Sequence, residues 1–149
     1  MFKHILIPTD GSRLAAKGIK AGVKLAKSLG ARVTGVYVAA PYMPPIYGEA
    51  GVSLTGLSQK EYDKIVERQA KKALAAVEIE AELAAVPCRV ESLSEAQPWR
   101  GILRVAGRRK CDAIVMASHG RGGLGGLILG SETARVLAHS KIPVLVTRQ

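Results

Sequence analysis

Five short apolar runs alternate along the chain with four stretches of helical period, and few folds accommodate that rhythm. The runs are Ile5 to Pro8, Val33 to Val38, Cys88 to Leu93, Ala113 to Met116 and Pro143 to Thr147. After the first, Ser12 is placed to cap a helix whose Leu14, Ile19, Val23, Ala26 and Leu29 recur at helical steps until Gly30 ends it. Ser58-Gln59-Lys60-Glu61 reads as a capping box opening a long helix that turns Tyr62, Ile65, Ala73 and Val77 inward. Pro98 begins a third helix carrying Ile102, Val105 and Ala106, and a fourth runs from Ser131 to His139. Strands separated by helices pair in parallel, so the chain is read as an α/β fold, an open five-stranded parallel sheet with helices on both faces.

One segment breaks the rhythm. Residues 39–57 contain Pro41, Pro44, Pro45, Gly48, Gly51 and Gly56, which rule out regular structure, and the stretch is long for a connection in a compact domain. It reads as a long mobile loop inside one domain, 1–149. Because it leaves the end of the second strand, its Tyr42, Met43 and Tyr47 either fold over a bound base or belong to a surface excursion that touches no ligand.

The chemistry is concentrated after the fourth run. Gly120, Gly122, Gly123, Gly125, Gly126 and Gly130 let the backbone approach a ligand closely, and Gly130-Ser131 opens a helix whose unpaired N–H groups favour an anion. Gly125 and Gly130 have P-loop spacing, but Ser131 stands where a P-loop has its lysine. Gly120, Gly122 and Gly125 match G-x-G-x-x-G, yet no acidic residue follows Glu132 to take a ribose hydroxyl about 20 positions on. Neither of those two phosphate loops is complete. Backbone N–H groups of Gly120, Arg121, Gly130 and Ser131, with the Ser131 hydroxyl, are the expected phosphate donors, and the Arg121 guanidinium adds a charge-assisted contact.

A different spacing fits. Gly120, nine residues and then Gly130-Ser131, inside the wording Ser-His-Gly-Arg-Gly-Gly-Leu, resembles the nucleotide loop G-x-x-G-x9-G-(S/T) of the universal stress protein family. The chain departs from it at the first glycine, which is Ala117 and adds a methyl beside the ligand. The opening Ile5 to Ser12 and the ending Pro143 to Val146 are similar to the family's too, so the resemblance covers nearly the whole chain. It implies strand order 3-2-1-4-5, the adenine-nucleotide alpha-hydrolase-like arrangement, with the ligand where that order reverses, between the first and fourth strands. Pro8, Thr9 and Asp10 would then meet Met116, Ala117, His119, Gly120, Arg121 and Gly122, with Gly130, Ser131, Glu132 and Thr133 closing the site. Asp10 would accept a ribose hydroxyl or help position Mg²⁺ held through the phosphates, or else serve only the turn; backbone around Val38 and Ala39 would face the base. His119 is read as shaping the loop or touching phosphate, since no nucleophile, base and orienting acid can be assembled around it.

The resemblance implies a cytoplasmic, stress-associated protein that binds ATP, ADP or AMP as a regulated module. Two alternatives stand beside it, a slow ATP hydrolase and a family member that binds no nucleotide and acts as a dimeric interaction partner. An enzyme of the same adenine-binding superfamily would carry Ser-Gly-Gly-x-Asp-Ser or His-x-Gly-His, and neither occurs. The apolar last run, Pro143 to Thr147, would be a sheet edge that pairs with a second copy as a homodimer.

Composition sets the remaining bounds. No apolar run of 18 residues is present, so no membrane span is expected. Cys88 and Cys111 would sit on strands three spacings apart in the implied order, about 14 Å, beyond disulfide reach. The net charge is +10, from 22 Lys+Arg against 12 Asp+Glu. Its lysines fall in helical stretches, Arg108-Arg109-Lys110 follows a helix, and base-stacking aromatics are scarce, so specific nucleic-acid binding is not expected, whereas some non-specific retention is. His4, His139 and Trp99 read as structural.

Overall fold

The computed structural model describes residues 1–44, 56–119 and 129–148. Their elements are β1 (His4–Pro8), α1 (Arg13–Leu29), β2 (Arg32–Ala39), α2 (Gln59–Leu83), β3 (Cys88–Ser94), α3 (Pro98–Arg108), β4 (Ala113–Ala117), α4 (Ser131–His139) and β5 (Val144–Thr147). All strand pairs are parallel and the order is β3-β2-β1-β4-β5.

Alternation along the central strands fills both faces. Ile5 and Ile7 of β1 point to α1 and α2, where they join Ile19, Val23, Ala26 and Val77. Leu6 points the other way, to Ile102 and Val105 of α3 and Val136 of α4. All three β1 side chains are fully buried, and burial of this kind contributes about 1.5–3 kcal/mol per aliphatic side chain. α1 lies close to the sheet because its inner face is made of Ala15, Gly18, Gly22 and Ala26. A Cβ on Gly22 would fall 2.6 Å from Ile7 Cδ1, and one on Gly18 would fall 2.9 Å from the Ala117 amide nitrogen.

The helix ends follow their sequence signals. The Ser12 hydroxyl accepts from the Ala15 amide at 3.1 Å, and Gly30 closes α1 with φ 63°. Ser58 and Glu61 form the reciprocal capping box of α2. Below the sheet, the Asp112 carboxylate accepts from the Lys3 and His4 amides at 2.8 and 3.0 Å, clasping the start of β4 to β1. Burial alone would raise the Asp112 pKa, but the amide N–H groups of Lys3 and His4 hold it below the usual value.

Several side-chain expectations are corrected. Ile65 is 40% exposed, because α2 turns Val66 rather than Ile65 toward the core and continues inward through Ala70, Ala73, Leu74, Val77 and Ala81. Tyr62 instead packs its ring against Tyr42, with centroids 5.6 Å apart, and donates its hydroxyl to the Ala40 carbonyl. The Tyr42 hydroxyl donates to the Leu57 carbonyl at 2.9 Å, tying together the two described ends of the long connection. Met43 is exposed, and Tyr47 lies outside the described residues. Arg108 and Arg109 do more than complement a helix end: both guanidinium groups pair with Glu91 of β3, and these bonds hold its carboxyl below the usual range against the opposing effect of burial. Cys88 and Cys111 are free, and burial pushes the Cys111 thiol up to about 11. No helix among the described residues is long and apolar enough to cross a membrane.

Candidate functional site

Strand order reverses between β1 and β4, and both strands end at the same rim of the sheet. At the end of β1 the chain turns sharply. Thr9 is buried, donates its amide to the Val36 carbonyl at 2.9 Å and accepts on its hydroxyl from the Gly11 amide at 3.1 Å. Asp10 Oδ1 accepts from the Ser12 amide at 2.9 Å, so this carboxylate shapes the turn into α1, and Gly11 takes φ 78° to complete it.

β2 runs past the end of β1 and borders the same crevice. The Val36 carbonyl bonds to β1, so Val38, two residues on, directs its backbone polar groups the same way, beyond Pro8. The Ala39 carbonyl faces β3 and accepts from the Glu95 amide at 2.9 Å. The Val38 side chain is packed beneath α3, where a Cβ on Gly101 would lie 2.8 Å from it.

The end of β4 is built around Ser118, a residue the motif reading passes over. Its amide donates to the Thr147 carbonyl at 2.9 Å, and its carbonyl accepts the Gly130 amide at 2.8 Å, drawing both ends of the glycine loop together. The Ser118 hydroxyl lies 3.0 Å from His119 Nδ1, and His119 Nε2 is buried with no hydrogen-bond partner among the described residues. Thr133 donates its hydroxyl to the Ala117 carbonyl at 3.0 Å. Met116 is a core side chain between the sheet, α3 and α4. Alternation sends Ala117 to the opposite face with Ala113 and Val115, toward α1. Gly120, Arg121 and Gly122 lie outside the described residues.

The amino ends of the four helices differ. Ser12 caps α1 and Ser58 caps α2. α3 lacks a side-chain cap from its own Gln97; instead Glu132, in the first turn of α4, accepts the Trp99 amide at 2.8 Å. The carboxylate of Glu132 therefore serves α3 and pairs with Arg135 at 3.1 Å, a tertiary contact that its place in the loop motif does not announce. α4 begins at Gly130-Ser131 with no side-chain cap, so its first-turn N–H groups face the rim. Behind it, Trp99 stacks on His139 with centroids 4.4 Å apart.

A second cavity of about 310 Å³ lies between α1 and α2, lined by Thr9, Ser12, Ile19, Gln69, Lys72 and Ala73 among others. It shares Thr9, Gly11 and Ser12 with the turn at the end of β1.

Comparison with known proteins agrees with this fold. The profile of the universal stress protein family matches residues 1–148. The chain is 32% identical over 151 residues to universal stress protein MJ0531 of Methanocaldococcus jannaschii, covering 100% of this chain and 84% of that protein. The solved structure of universal stress protein UspA from Lactobacillus plantarum has the same fold, with TM-score 0.78 at 22% identity over 99% of this chain and 98% of that one. So do a universal stress protein in complex with cAMP (TM-score 0.69, 18% identity, 99% and 97% covered) and one from Archaeoglobus fulgidus in complex with dAMP (0.60, 15%, 98% and 97%). Sequence identity to the archaeal relative along the full chain, joined to a profile match that stops one residue short of the end, makes this chain a member of the universal stress protein family.

Proposed function

We propose that this protein binds ATP or a related adenine nucleotide at the carboxyl ends of β1 and β4 and acts as a regulated, dimeric binding module of the stress response. The observation that carries this reading is the amino end of α4, which has no side-chain cap among the described residues, beside His119 Nε2, which has no partner among them. Such a helix end favours an anion through its N–H groups and its dipole. In the tautomer that accepts from the Ser118 hydroxyl on Nδ1, the ring carries its hydrogen on Nε2 and offers a further donor. The residues therefore suit a phosphate group, which the Ser131 N–H and hydroxyl and the loop of Gly120, Arg121 and Gly122 would hold, whereas the Gly130 N–H, an expected phosphate donor, is already given to the Ser118 carbonyl. Val38 supplies backbone groups toward the base, and Asp10 stands on the ribose and Mg²⁺ side. The cAMP and dAMP complexes of family members support the adenine class.

Isothermal titration calorimetry of the natural protein with ATP, ADP and AMP, each with Mg²⁺, tests this. Saturable heat near one nucleotide per chain is expected with at least one of them. Silence with all three would leave only the interaction-partner reading.

The dimer rests on β5. Among the described residues this strand pairs only with β4, so it forms an edge, and Leu145 is 49% exposed there. Val144 and Val146 turn inward against the core beneath α3 and α4, so the exposed apolar contact is Leu145. An unshielded apolar edge pairs readily with another strand. Leu145→Lys is expected to convert a dimer to monomer in light scattering at micromolar concentration without disturbing the core. A monomeric natural protein, or an unaffected variant, refutes the interface.

A further inference from the structure

The charge that the sequence scatters along the chain is sorted in space. Arg13, Lys17, Lys20, Lys24 and Lys27 are all exposed on α1, and the sequence of that helix contains no acidic residue. At 3.6 residues per turn these five fall within an arc of about 80°, in a row about 21 Å long. Every neighbouring pair in the row is like-charged at i,i+3 or i,i+4, an arrangement that opposes helix formation. The ion pairs found among the described residues, Arg104–Glu95, Arg108–Glu91, Arg109–Glu91 and Arg135–Glu132, involve none of the five. α2 differs, since it mixes Lys64, Arg68 and Lys71 with Glu61, Asp63 and Glu67. Lys72 of α2 lines the cavity it shares with Ser12 and Ala16 of α1, which places a sixth cation beside the row.

We propose that the outer face of α1 is a docking surface for duplex DNA, held through the phosphates that flank a groove without regard to sequence. Laid across the major groove, about 12 Å wide, a straight row about 21 Å long reaches phosphates of both strands that flank it. Lysine ammonium groups on flexible stems suit phosphate contacts, and α1 carries no Asn, Gln, Asp or Glu to read adenine or cytosine. Single strands fit less well, because they are held by stacking on exposed aromatic rings and α1 has none. A lipid surface fits less well too, because α1 commits its apolar side chains to the core and contributes none of the large exposed hydrophobic residues. The row starts at Arg13 beside the rim turn and leads away from it along α1, and it uses none of the residues proposed to hold nucleotide, so the proposal does not depend on nucleotide binding.

The test is fluorescence anisotropy of a labelled mixed-sequence 20-base-pair duplex titrated with the full chain between 50 and 150 mM KCl. Five phosphate contacts give a log–log salt slope of about −4.5, or roughly a hundredfold weaker binding across that range. Lys20→Gln with Lys24→Gln should make the slope shallower by about 2. Lys64→Gln with Lys71→Gln, which removes equal charge from α2, should leave it unchanged. Circular dichroism confirms that both variants remain helical. Absence of duplex binding at 50 mM KCl, or equal loss in the two double variants, overturns the proposal. So does lysine-dependent binding to phosphatidylserine vesicles without duplex binding, which would reassign the face to membranes.

Discussion

Gly18→Val is expected to lower the melting temperature by roughly 6–12 °C. Valine is a somewhat better helix residue than glycine, so local propensity predicts a slight gain. The contact predicts a loss. Even a Cβ at position 18 would lie 2.9 Å from the Ala117 amide nitrogen and 3.3 Å from the Met116 carbonyl carbon, atoms of a central strand that cannot swing aside. α1 must therefore lift from β4, opening the layer that holds Val115, Ile7 and Val23. Overpacking of this kind costs about 3 kcal/mol at its upper range, and each kcal/mol is worth about 2–4 °C in a domain of this size. Gly107→Ala is the matched control, since nothing lies within 4 Å of a Cβ there. It should be neutral or slightly stabilising in the same thermal scan. A Gly18→Val protein that melts within 2 °C of the natural one would show that α1 is free to move off the sheet.

Gly130→Asp is expected to weaken nucleotide binding by about a hundredfold or more. A carboxylate at the uncapped end of α4 would occupy the anion position and repel phosphate, at a point where the helix dipole would otherwise attract it. The backbone at 130, with φ −58°, accepts a side chain, but its Cβ would lie 3.0 Å from the Ser118 carbonyl oxygen and 3.2 Å from His119 Cα. Some displacement of the loop anchor therefore accompanies the charge. Gly130→Ala separates the two effects, because it carries the contact without the carboxylate. Calorimetry should rank natural, Ala and Asp in falling affinity. If Asp binds ATP as tightly as the natural residue, the phosphates lie elsewhere.

Where local rules act alone, the sequence and the structure agree closely. α4 spans Ser131–His139 in both, Ser12 and Ser58 cap the helices they precede, and Pro98 occupies the first turn of α3. Strand ends shift by a residue for identifiable reasons. His4 joins β1 although it is polar, because Thr34 partners its ring at 2.7 Å. Pro143 drops from β5 because it has no N–H, though its carbonyl still accepts the Ile114 amide. The misses are tertiary. That Ile65 lies outside the core, that Glu91 gathers two arginines and that Glu132 caps α3 from 33 residues away depend on how elements pack. The meeting of β1 and β4 follows from the strand order that the family resemblance implies, whereas the anchoring by Ser118 depends on loop contacts that the glycine spacing does not announce.

The stack of Trp99 on His139 gives the molecule a built-in optical probe. Trp99 is the only tryptophan in the chain, so all indole emission comes from one environment. That environment joins two helices. The ring belongs to α3, its neighbour His139 ends α4, and its backbone amide is held by Glu132 at the start of α4. Any sliding or tilting of α4 against α3 must alter the overlap of indole and imidazole, and with it the intensity and lifetime of the emission. Events at the distant mouth of α4 can thus be followed by light, in the unlabelled natural chain and on the timescale at which they occur.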